Sequence, residues 1–314
     1  MKYRQLGRTG ILVSEVAFGS LTMAPMQANL PPEAAAEVLC HASERGVNFL
    51  DTAQLYENYE YIRLAEKRMK RPLVIASKAY AYEKQMAFDA VEQARRALDR
   101  DYIDLFLLHE QESEHTLRGH MPAIEELLRL KALGVIRAFG ISTHHVAAVR
   151  AAAAVDYIDV VHPLINKAGL GIVDGTRADM EQAMREAYEK GIGLYTMKSL
   201  GGGNLFSSAE ESFRYIFSFP YKHAVCIGMQ SCDEVDADID FAEKGCFSEE
   251  SLRRLSQKKR HLHIDDWCVG CGKCAQRCRQ HALSVVNGKA VVTGDCVLCG
   301  YCSRVCDQWA IKVV

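Results

Sequence analysis

Two runs of four cysteines near the end of the chain constrain its fold more than any other feature. Each run has the spacing Cys-x2-Cys-x2-Cys-x3-Cys, and the residues are Cys268, Cys271, Cys274, Cys278, Cys296, Cys299, Cys302 and Cys306. Close spacing lets several thiolates from one loop reach a single metal cluster. Zinc is the alternative, but zinc ribbons usually pair two Cys-x2-Cys knuckles across a longer gap. The duplicated runs therefore favour two [4Fe–4S] clusters.

The composition excludes several classes of protein. The chain has 314 residues, of which 49% are hydrophobic and 25% charged, as in ordinary soluble domains. Its net charge of −2 gives no electrostatic reason to expect a nucleic acid or a membrane surface as partner. The sequence contains no apolar run of membrane-spanning length, and the first residues, MKYRQLGRTG, lack a secretory signal. We therefore expect a cytoplasmic protein whose clustered cysteines bind metal rather than form disulfides.

Short apolar runs alternate with amphipathic stretches over the first 246 residues. The predicted strands are residues 15–19, 47–51, 73–77, 103–109, 135–142, 157–163, 192–197 and 224–228. The predicted helices are residues 32–45, 59–69, 88–98, 121–133, 146–154, 180–190 and 208–217. This alternation is typical of a parallel sheet covered by helices. It suits a closed (β/α)8 TIM barrel, and an open doubly wound sheet fits the same periodicity.

The composition changes after residue 246. Residues 247–264 contain a basic segment that predicts a solvated linker helix, and its charges are Arg253, Arg254, Lys258, Lys259 and Arg260. The alternative is that these cations lie beside anionic clusters. We therefore expect three parts: a barrel over residues 1–246, the linker over 247–264, and a small α+β iron–sulfur domain over 265–314.

Four polar side chains follow three consecutive predicted strands. Asp51, Lys78 and His109 end their strands, and Tyr56 lies in the loop after Asp51. Barrel enzymes place their chemistry at this end of the strands, so these side chains should meet. An ammonium near a phenol lowers the phenol's pKa, so Lys78, oriented by Asp51, is expected to make Tyr56 a better acid. Such a group suits carbonyl reduction, with Tyr56 as proton donor and His109 donating to the oxygen, orienting it or sharing the proton.

These motifs resemble those of the aldo-keto reductase family. The segments DTAQLY, IASK and LLH carry the family's Asp, Tyr, Lys and His in order, and YRQLGRTGILVSEVAFGS, GIST and SLGGG are similar to its other motifs. The resemblance covers roughly residues 2–240. It implies a (β/α)8 barrel that binds a nicotinamide dinucleotide and reduces an aldehyde or ketone.

The resemblance also implies cofactor contacts. For the nicotinamide end they are Ser142, Thr143, His162 and Met197. For the pyrophosphate they are Lys198, Leu200, Gly201 and Gly202. For the adenosine end they are Gly228, Ser231, Glu234 and Asp238. Glu234 stands where NADP-preferring relatives have a basic residue, and a carboxylate repels a 2′-phosphate, so NADH is favoured over NADPH.

The segment WCVGCGKCAQRC and its repeat DCVLCGYCSRVC resemble a two-cluster bacterial ferredoxin. In that family the fourth cysteine of each run serves the other cluster. The resemblance therefore implies one cluster on Cys268, Cys271, Cys274 and Cys306, and a second on Cys278, Cys296, Cys299 and Cys302. We expect Trp267 and Trp309, which flank the runs, to shield the clusters from water.

The two halves leave the overall function open. A nicotinamide transfers two electrons at once, whereas a cluster takes one at a time, so direct exchange would need a flavin or a similar mediator. The first interpretation is a carbonyl reductase whose clusters are structural, redox-sensing or electron-transferring. The alternatives are an electron-transfer protein that works with a flavin or a redox partner protein, and a redox-sensing regulatory subunit.

Overall fold

The computed structural model describes residues 1–257, 261–278, 280–293, 296 and 300–313. Within those ranges a hairpin, β1 (Tyr3–Gln5) and β2 (Leu12–Ser14), precedes a closed barrel of eight parallel strands. The barrel strands are β3 (Val16–Gly19), β4 (Phe49–Asp51), β5 (Val74–Ala79), β6 (Ile103–Leu108), β7 (Ile136–Thr143), β8 (Val160–Pro163), β9 (Gly193–Thr196) and β10 (Ala224–Gly228). β10 pairs with β3, which closes the sheet and excludes the open doubly wound alternative.

Helices cover the outside of the barrel. They are α1 (Pro32–Glu44), α2 (Tyr59–Glu66), α3 (Lys84–Leu98), α4 (Glu114–Gly119), α5 (Met121–Ala132), α6 (Val146–Ala153), α7 (Arg177–Glu189), α8 (Ala209–Ser218) and α9 (Cys232–Lys244). Apolar residues on the outer face of the strands pack with these helices in one large core. A second core fills the barrel, because alternate strand residues point inward; it includes Ala17, Phe49, Leu105, Val160 and Tyr195.

The predicted elements agree with the observed ones except near some ends. α3 begins at Lys84 rather than at residue 88, and α7 begins at Arg177 rather than at residue 180. The start of α7 is set by a capping box, in which Thr176 and Asp179 bond each other's backbone N–H groups. The short helix α4 was not predicted. It also starts with a capping box. Capping boxes are formed by polar side chains, so the periodicity of apolar residues does not reveal them.

The cysteine-rich segment has a small core of its own. β11 (Leu262–Ile264) pairs antiparallel with β14 (Ile311–Val313), and β12 (Leu283–Val286) pairs with β13 (Lys289–Val292). A short helix, α11 (Lys273–Arg277), packs with these strands. The core consists of Leu262, Cys274, Leu283, Ala290, Cys302 and Ile311. We call residues 261–313 the cysteine-rich module.

The described residues of the linker include the helix α10 (Glu249–Ser256). Its Arg254 contacts Glu250 on the same helix and lies 3.4 Å from Asp233 Oδ1 on α9. Lys258, Lys259 and Arg260 lie outside the described residues. Within the part of the chain that is described, we find no helix with the length and apolar character that crossing a bilayer would require.

Candidate active site

A buried ion pair lies at the carboxyl end of β4 and β5. Lys78 Nζ donates to Asp51 Oδ2 at 2.7 Å and to the Thr52 carbonyl at 2.8 Å. Both charged side chains face the barrel interior, where Asp51 is 4% exposed and Lys78 is 1% exposed. Buried charges are stable only when paired, so each residue holds the other in place. The predicted meeting of these two side chains is present.

Tyr56 ends a short turn after β4. The buried Thr52 hydroxyl donates to Asn58 Oδ1 at 2.7 Å, which ties the two ends of this turn together. Lys78 Nζ lies 5.0 Å from the centre of the Tyr56 ring. Burial nevertheless raises the pKa of Tyr56 well above its usual value, and the charge of Asp51 raises it further. The net shift is therefore upward, opposite to the shift expected from Lys78 alone, and the phenol keeps its proton.

His109 directly follows β6 and lies beside Tyr56, with the two ring centres 6.0 Å apart. The Tyr80 ring stacks on His109 at 4.6 Å. Burial lowers the pKa of His109 well below its usual value, and the charge of Lys78 lowers it further. The ring is therefore neutral at pH 7. Its Nδ1 is buried and has no hydrogen-bond partner in the described structure, so this atom could bond a ligand at the barrel mouth.

Asp51 is supported by side chains from the opposite strands of the barrel. The Tyr195 hydroxyl donates to Asp51 Oδ1 at 2.8 Å. The His162 ring stacks on Tyr195 at 3.9 Å, and its Nδ1 donates to the Tyr195 carbonyl at 2.6 Å. Donor atoms of Asp51, His162 and Cys226 lie within 4.8 Å of one another, close enough to share a metal ion. Lys78 already neutralises Asp51, so we interpret the group as a hydrogen-bonded floor beneath the site.

Tyr195 and Cys226 were missed by the sequence analysis. The signal that could have found them is strand alternation, since both point inward from β9 and β10. His162 was predicted as a contact for the nicotinamide. In the structure its Nδ1 is occupied by the Tyr195 carbonyl, and its Nε2 lies 3.7 Å from Asp51 Oδ1. Its observed contacts are therefore with the floor of the site.

The other residues predicted for the nicotinamide end lie at the ends of β7 and β9. Ser142 Oγ accepts from the Glu110 N–H at 2.9 Å, which leaves the Ser142 hydroxyl proton able to donate. Thr143 Oγ1 accepts from the His145 N–H at 2.8 Å and closes the turn before α6. Met197 follows β9 and is half-buried. Ser142 is thus better placed to serve a ligand than Thr143, whose oxygen already supports the chain.

Lys198 and the turn at Gly201–Gly203 follow Met197. Among the residues that the structure describes, no carboxylate lies within ion-pair distance of Lys198. Burial lowers the pKa of Lys198 to about 8. The neighbouring Ser199 hydroxyl is buried and, in the same described part, has no hydrogen-bond partner. A cation with no carboxylate partner and a hydroxyl with no hydrogen-bond partner in the described ranges, next to a glycine turn, are suited to binding an anion.

The residues predicted for the adenosine end lie around the start of α9. The Ser231 hydroxyl accepts from the Glu234 N–H at 3.3 Å, and Glu234 Oε2 accepts from the N–H of residue 230 at 2.6 Å. Gly228 ends β10, where a methyl group would collide with a neighbouring threonine side chain. Asp238 is half-buried one turn further along the helix. Ser231 and Glu234 therefore cap α9, whatever else they bind.

Cysteines from both runs line one small cavity in the cysteine-rich module. Its lining includes Cys268, Cys271, Cys274 and Cys306. Two backbone N–H groups donate to sulfur: Ala290 to Cys268 Sγ at 3.4 Å and Ala282 to Cys278 Sγ at 3.3 Å. Of the second predicted set, three members pack in the module core, namely Cys278, Cys296 and Cys302. Cys299 lies outside the described residues.

The fold and the site together define a barrel oxidoreductase. The sequence pattern of the Aldo/keto reductase family matches residues 15–218, more than half of the chain, and this range contains Asp51, Tyr56, Lys78 and His109. The chain belongs to the aldo/keto reductase family, and it is an oxidoreductase of that type.

Individual relatives are similar at lower identity. The uncharacterized oxidoreductase YqkF of Bacillus subtilis (strain 168) is 24% identical over 305 residues, which cover 81% of this chain and 95% of the relative. The methylglyoxal reductase DkgA of Yersinia pestis is 26% identical over 166 residues, 49% of this chain and 58% of the relative. The holo form of the aldo-keto reductase AKR11C1 from Bacillus halodurans superposes with a TM-score of 0.65 at 22% identity, covering 82% of this chain and 96% of that structure. This structural likeness shows the barrel fold.

Proposed function

We propose that the protein reduces the carbonyl group of a small molecule with NAD(P)H, and that Tyr56 donates the proton. The observation that carries the proposal is the buried Lys78–Asp51 pair beside the protonated Tyr56, with neutral His109 next to the same ring. The Yersinia pestis relative is named as a reductase of methylglyoxal, which is a carbonyl compound, and this supports the substrate class.

Each residue has a separate task in this reaction. When bound, the reduced nicotinamide supplies the hydride that adds to the carbonyl carbon. Tyr56 gives its hydroxyl proton to the oxygen, so that an alcohol forms, and the positive charge of Lys78 stabilises the resulting phenolate. Asp51 holds Lys78 in place through their hydrogen bond. His109, which is neutral and whose Nδ1 has no partner among the described residues, bonds the substrate oxygen and orients it.

The residues at the barrel mouth fit a dinucleotide. Ser142 would bond the carboxamide, Lys198 and Ser199 would bond the pyrophosphate, and the start of α9 would bind the adenosine. The buried polar atoms of His109 and Ser199, which have no partners among the described residues, are satisfied if a ligand with complementary groups binds there. The carboxylate of Glu234 at α9 supports NADH over NADPH.

We further propose that the cysteine-rich module holds two [4Fe–4S] clusters, as in two-cluster ferredoxins. The cavity lined by Cys268, Cys271, Cys274 and Cys306 supports the crossed ligand set, because its fourth cysteine comes from the other run. The N–H donors to Cys268 and Cys278 are of the kind that tunes cluster potential. We propose residues 1–246, 247–264 and 265–314 as the three parts of the chain.

The test of the reductase proposal is a comparison of two tyrosine variants. Tyr56→Phe should lower kcat for NADH-dependent carbonyl reduction roughly 10²- to 10⁴-fold, because it removes the proton donor. The dissociation constant for NADH should stay unchanged. Both are measured on anaerobically purified protein, with a panel of aldehydes and ketones.

Tyr59→Phe is the matched control. Tyr59 is also buried nearby, and its hydroxyl bonds Ser77 Oγ at 2.6 Å instead of facing the site. It should keep its kcat and lose about 1 kcal/mol of stability. Equal turnover in Tyr56→Phe and the wild type would refute Tyr56 as the donor. Fluorescent flavin released on denaturation would favour the electron-transfer alternative instead.

A further inference from the structure

The cysteine-rich module contacts the barrel at the loop proposed to bind the dinucleotide phosphates. The centre of the Trp309 ring lies 5.4 Å from Lys198 Nζ. A methyl group added at Gly202 would lie 3.8 Å from the same indole. Next to it, the Ser303 hydroxyl contacts Asn204 Oδ1, and Asn204 Nδ2 donates to the Gly201 carbonyl at 2.8 Å. The shielding of the clusters by Trp309 stays a prediction; in the structure its ring lies against the barrel loop.

Trp309 and Lys198 face each other in strained backbone conformations. Their φ angles are +54° and +59°, in the left-handed region that bulky side chains rarely adopt. Such conformations persist when the surrounding structure holds them, and they are typical of functional sites. The backbone N–H of Trp309 donates to the carbonyl of Cys306 at 3.1 Å, so the residue that holds Trp309 is also a proposed cluster ligand.

Lys312, another lysine in this region, already has a carboxylate partner. Lys312 Nζ lies 2.8 Å from Asp265 Oδ2, and the Asp265 carboxylate is buried. Lys198, by contrast, has an aromatic face beside it and no carboxylate within ion-pair distance in the described ranges. Of these two lysines at the contact between module and barrel, Lys198 is therefore the one whose charge is available to an added anion.

We propose that Trp309 is part of the dinucleotide site, where it covers Lys198 and binds the cofactor's phosphates jointly with the barrel loop. This inference rests on the proposed use of NAD(P)H. An indole over the ammonium excludes water, and a charge–charge attraction is stronger where water is excluded. The indole face also stabilises the ammonium form that attracts phosphate. The cluster-bearing module would thus supply affinity for the cofactor without touching the reacting atoms.

The test measures NADH binding to the anaerobic protein with both clusters in place, by quenching of nicotinamide fluorescence. Trp309→Ala should raise the dissociation constant about tenfold, as expected for a desolvated cation–π contact and its water exclusion. Trp309→Phe should restore most of the affinity, because it keeps an aromatic face. Tyr301→Ala is the control, since Tyr301 is an exposed aromatic of the same module whose ring lies near Arg277 and Arg304.

A double-mutant cycle shows whether Trp309 acts through Lys198. Lys198→Met alone should weaken binding, and Trp309→Ala should add less than twofold in its presence, because the two residues share one interaction. Iron content must match the wild type in every variant. If Trp309→Ala loses iron, Trp309→Leu replaces it, because leucine keeps an apolar side chain at this position without an aromatic face.

Three outcomes would overturn the inference: unchanged affinity in Trp309→Ala, tighter binding in Trp309→Ala, or fully additive losses in the cycle. Tighter binding of NADH would show that Trp309 blocks access to the site and is not part of it. If the wild type binds neither NADH nor NADPH, the proposed function itself fails. If the wild type binds NADH and Trp309→Ala binds it with the same affinity, only the proposed role of Trp309 fails.

Discussion

Lys78, which is buried, and Lys198, which is half-buried, are two ammonium groups at the same barrel mouth with different surroundings. Lys78 is paired with Asp51 at 2.7 Å, and that pair is enclosed by the barrel. Lys198 has the Trp309 ring beside it and, in the described structure, no carboxylate partner. A paired ammonium is held as part of the site, whereas an unpaired one is available to an anion from outside. This difference agrees with the proposed roles, proton chemistry for Lys78 and phosphate binding for Lys198.

The ionisation of Lys198 predicts a pH dependence of cofactor binding. Burial lowers the pKa of Lys198 to about 8, so its side chain is charged below that pH and neutral above it. Since the charged form attracts phosphate, the dissociation constant for NADH should rise above about pH 8, by at most roughly tenfold per pH unit. Titrations of NADH binding from neutral to alkaline pH measure this rise.

Lys198→Arg is the control for that profile. Arginine stays charged at every accessible pH, so the rise above pH 8 should disappear. A rise of the same size and midpoint in Lys198→Arg would assign the ionisation to another group.

The start of helix α9 is the element that we expect to set cofactor preference. Glu234 contributes a carboxylate there and also accepts the N–H of residue 230. Glu234→Arg should raise the ratio of kcat/KM for NADPH to kcat/KM for NADH by about tenfold or more, because a guanidinium pairs with the 2′-phosphate. The same change should lower the free energy of unfolding by about 1 kcal/mol, since the capping acceptor is lost.

Glu234→Gln separates the two effects. The amide oxygen of glutamine can still accept the N–H of residue 230, but the negative charge is gone. We expect stability near the wild type and a cofactor ratio between those of the wild type and Glu234→Arg. A ratio that stays at the wild-type value in both variants would place the 2′-hydroxyl site elsewhere.

At the scale of helices and strands, the barrel elements were predicted well from the sequence where apolar periodicity is strong. Strand 224–228 was placed correctly because a buried parallel strand is a continuous apolar run. The start of α3 was misplaced because its first two residues, Lys84 and Gln85, are polar and exposed and add nothing to the apolar periodicity. Asp51, Lys78 and His109 were predicted from their positions at strand ends. The contact of Trp309 with Lys198 could not be predicted, because it joins segments far apart in sequence through packing alone.

At the scale of the whole molecule, the cysteine-rich module predicts a definite iron content. The anaerobically purified protein should contain about eight iron atoms per chain, as two [4Fe–4S] clusters require. Cys306→Ser removes the ligand that the second run contributes to the cavity of Cys268, Cys271 and Cys274. It should lower the iron content to about half, measured by elemental analysis together with sulfide.

Cys246→Ser is the control for that change, because Cys246 is exposed and lies outside the module. Its iron content should equal that of the wild type. Zinc in place of iron, or full iron in Cys306→Ser, would contradict the crossed ligand set.

The hydrogen bond from the Trp309 N–H to the Cys306 carbonyl has a practical consequence. If oxygen destroys the cluster that Cys306 binds, the support for Trp309 weakens with it, while the Lys78–Asp51 pair inside the barrel is untouched. On our proposal, an air-exposed sample would keep its maximal turnover at saturating NADH and show a higher KM for NADH. The KM for NADH measured for a preparation would then depend on its exposure to oxygen. Values measured in air and under anaerobic conditions would differ because of cluster loss in the protein itself.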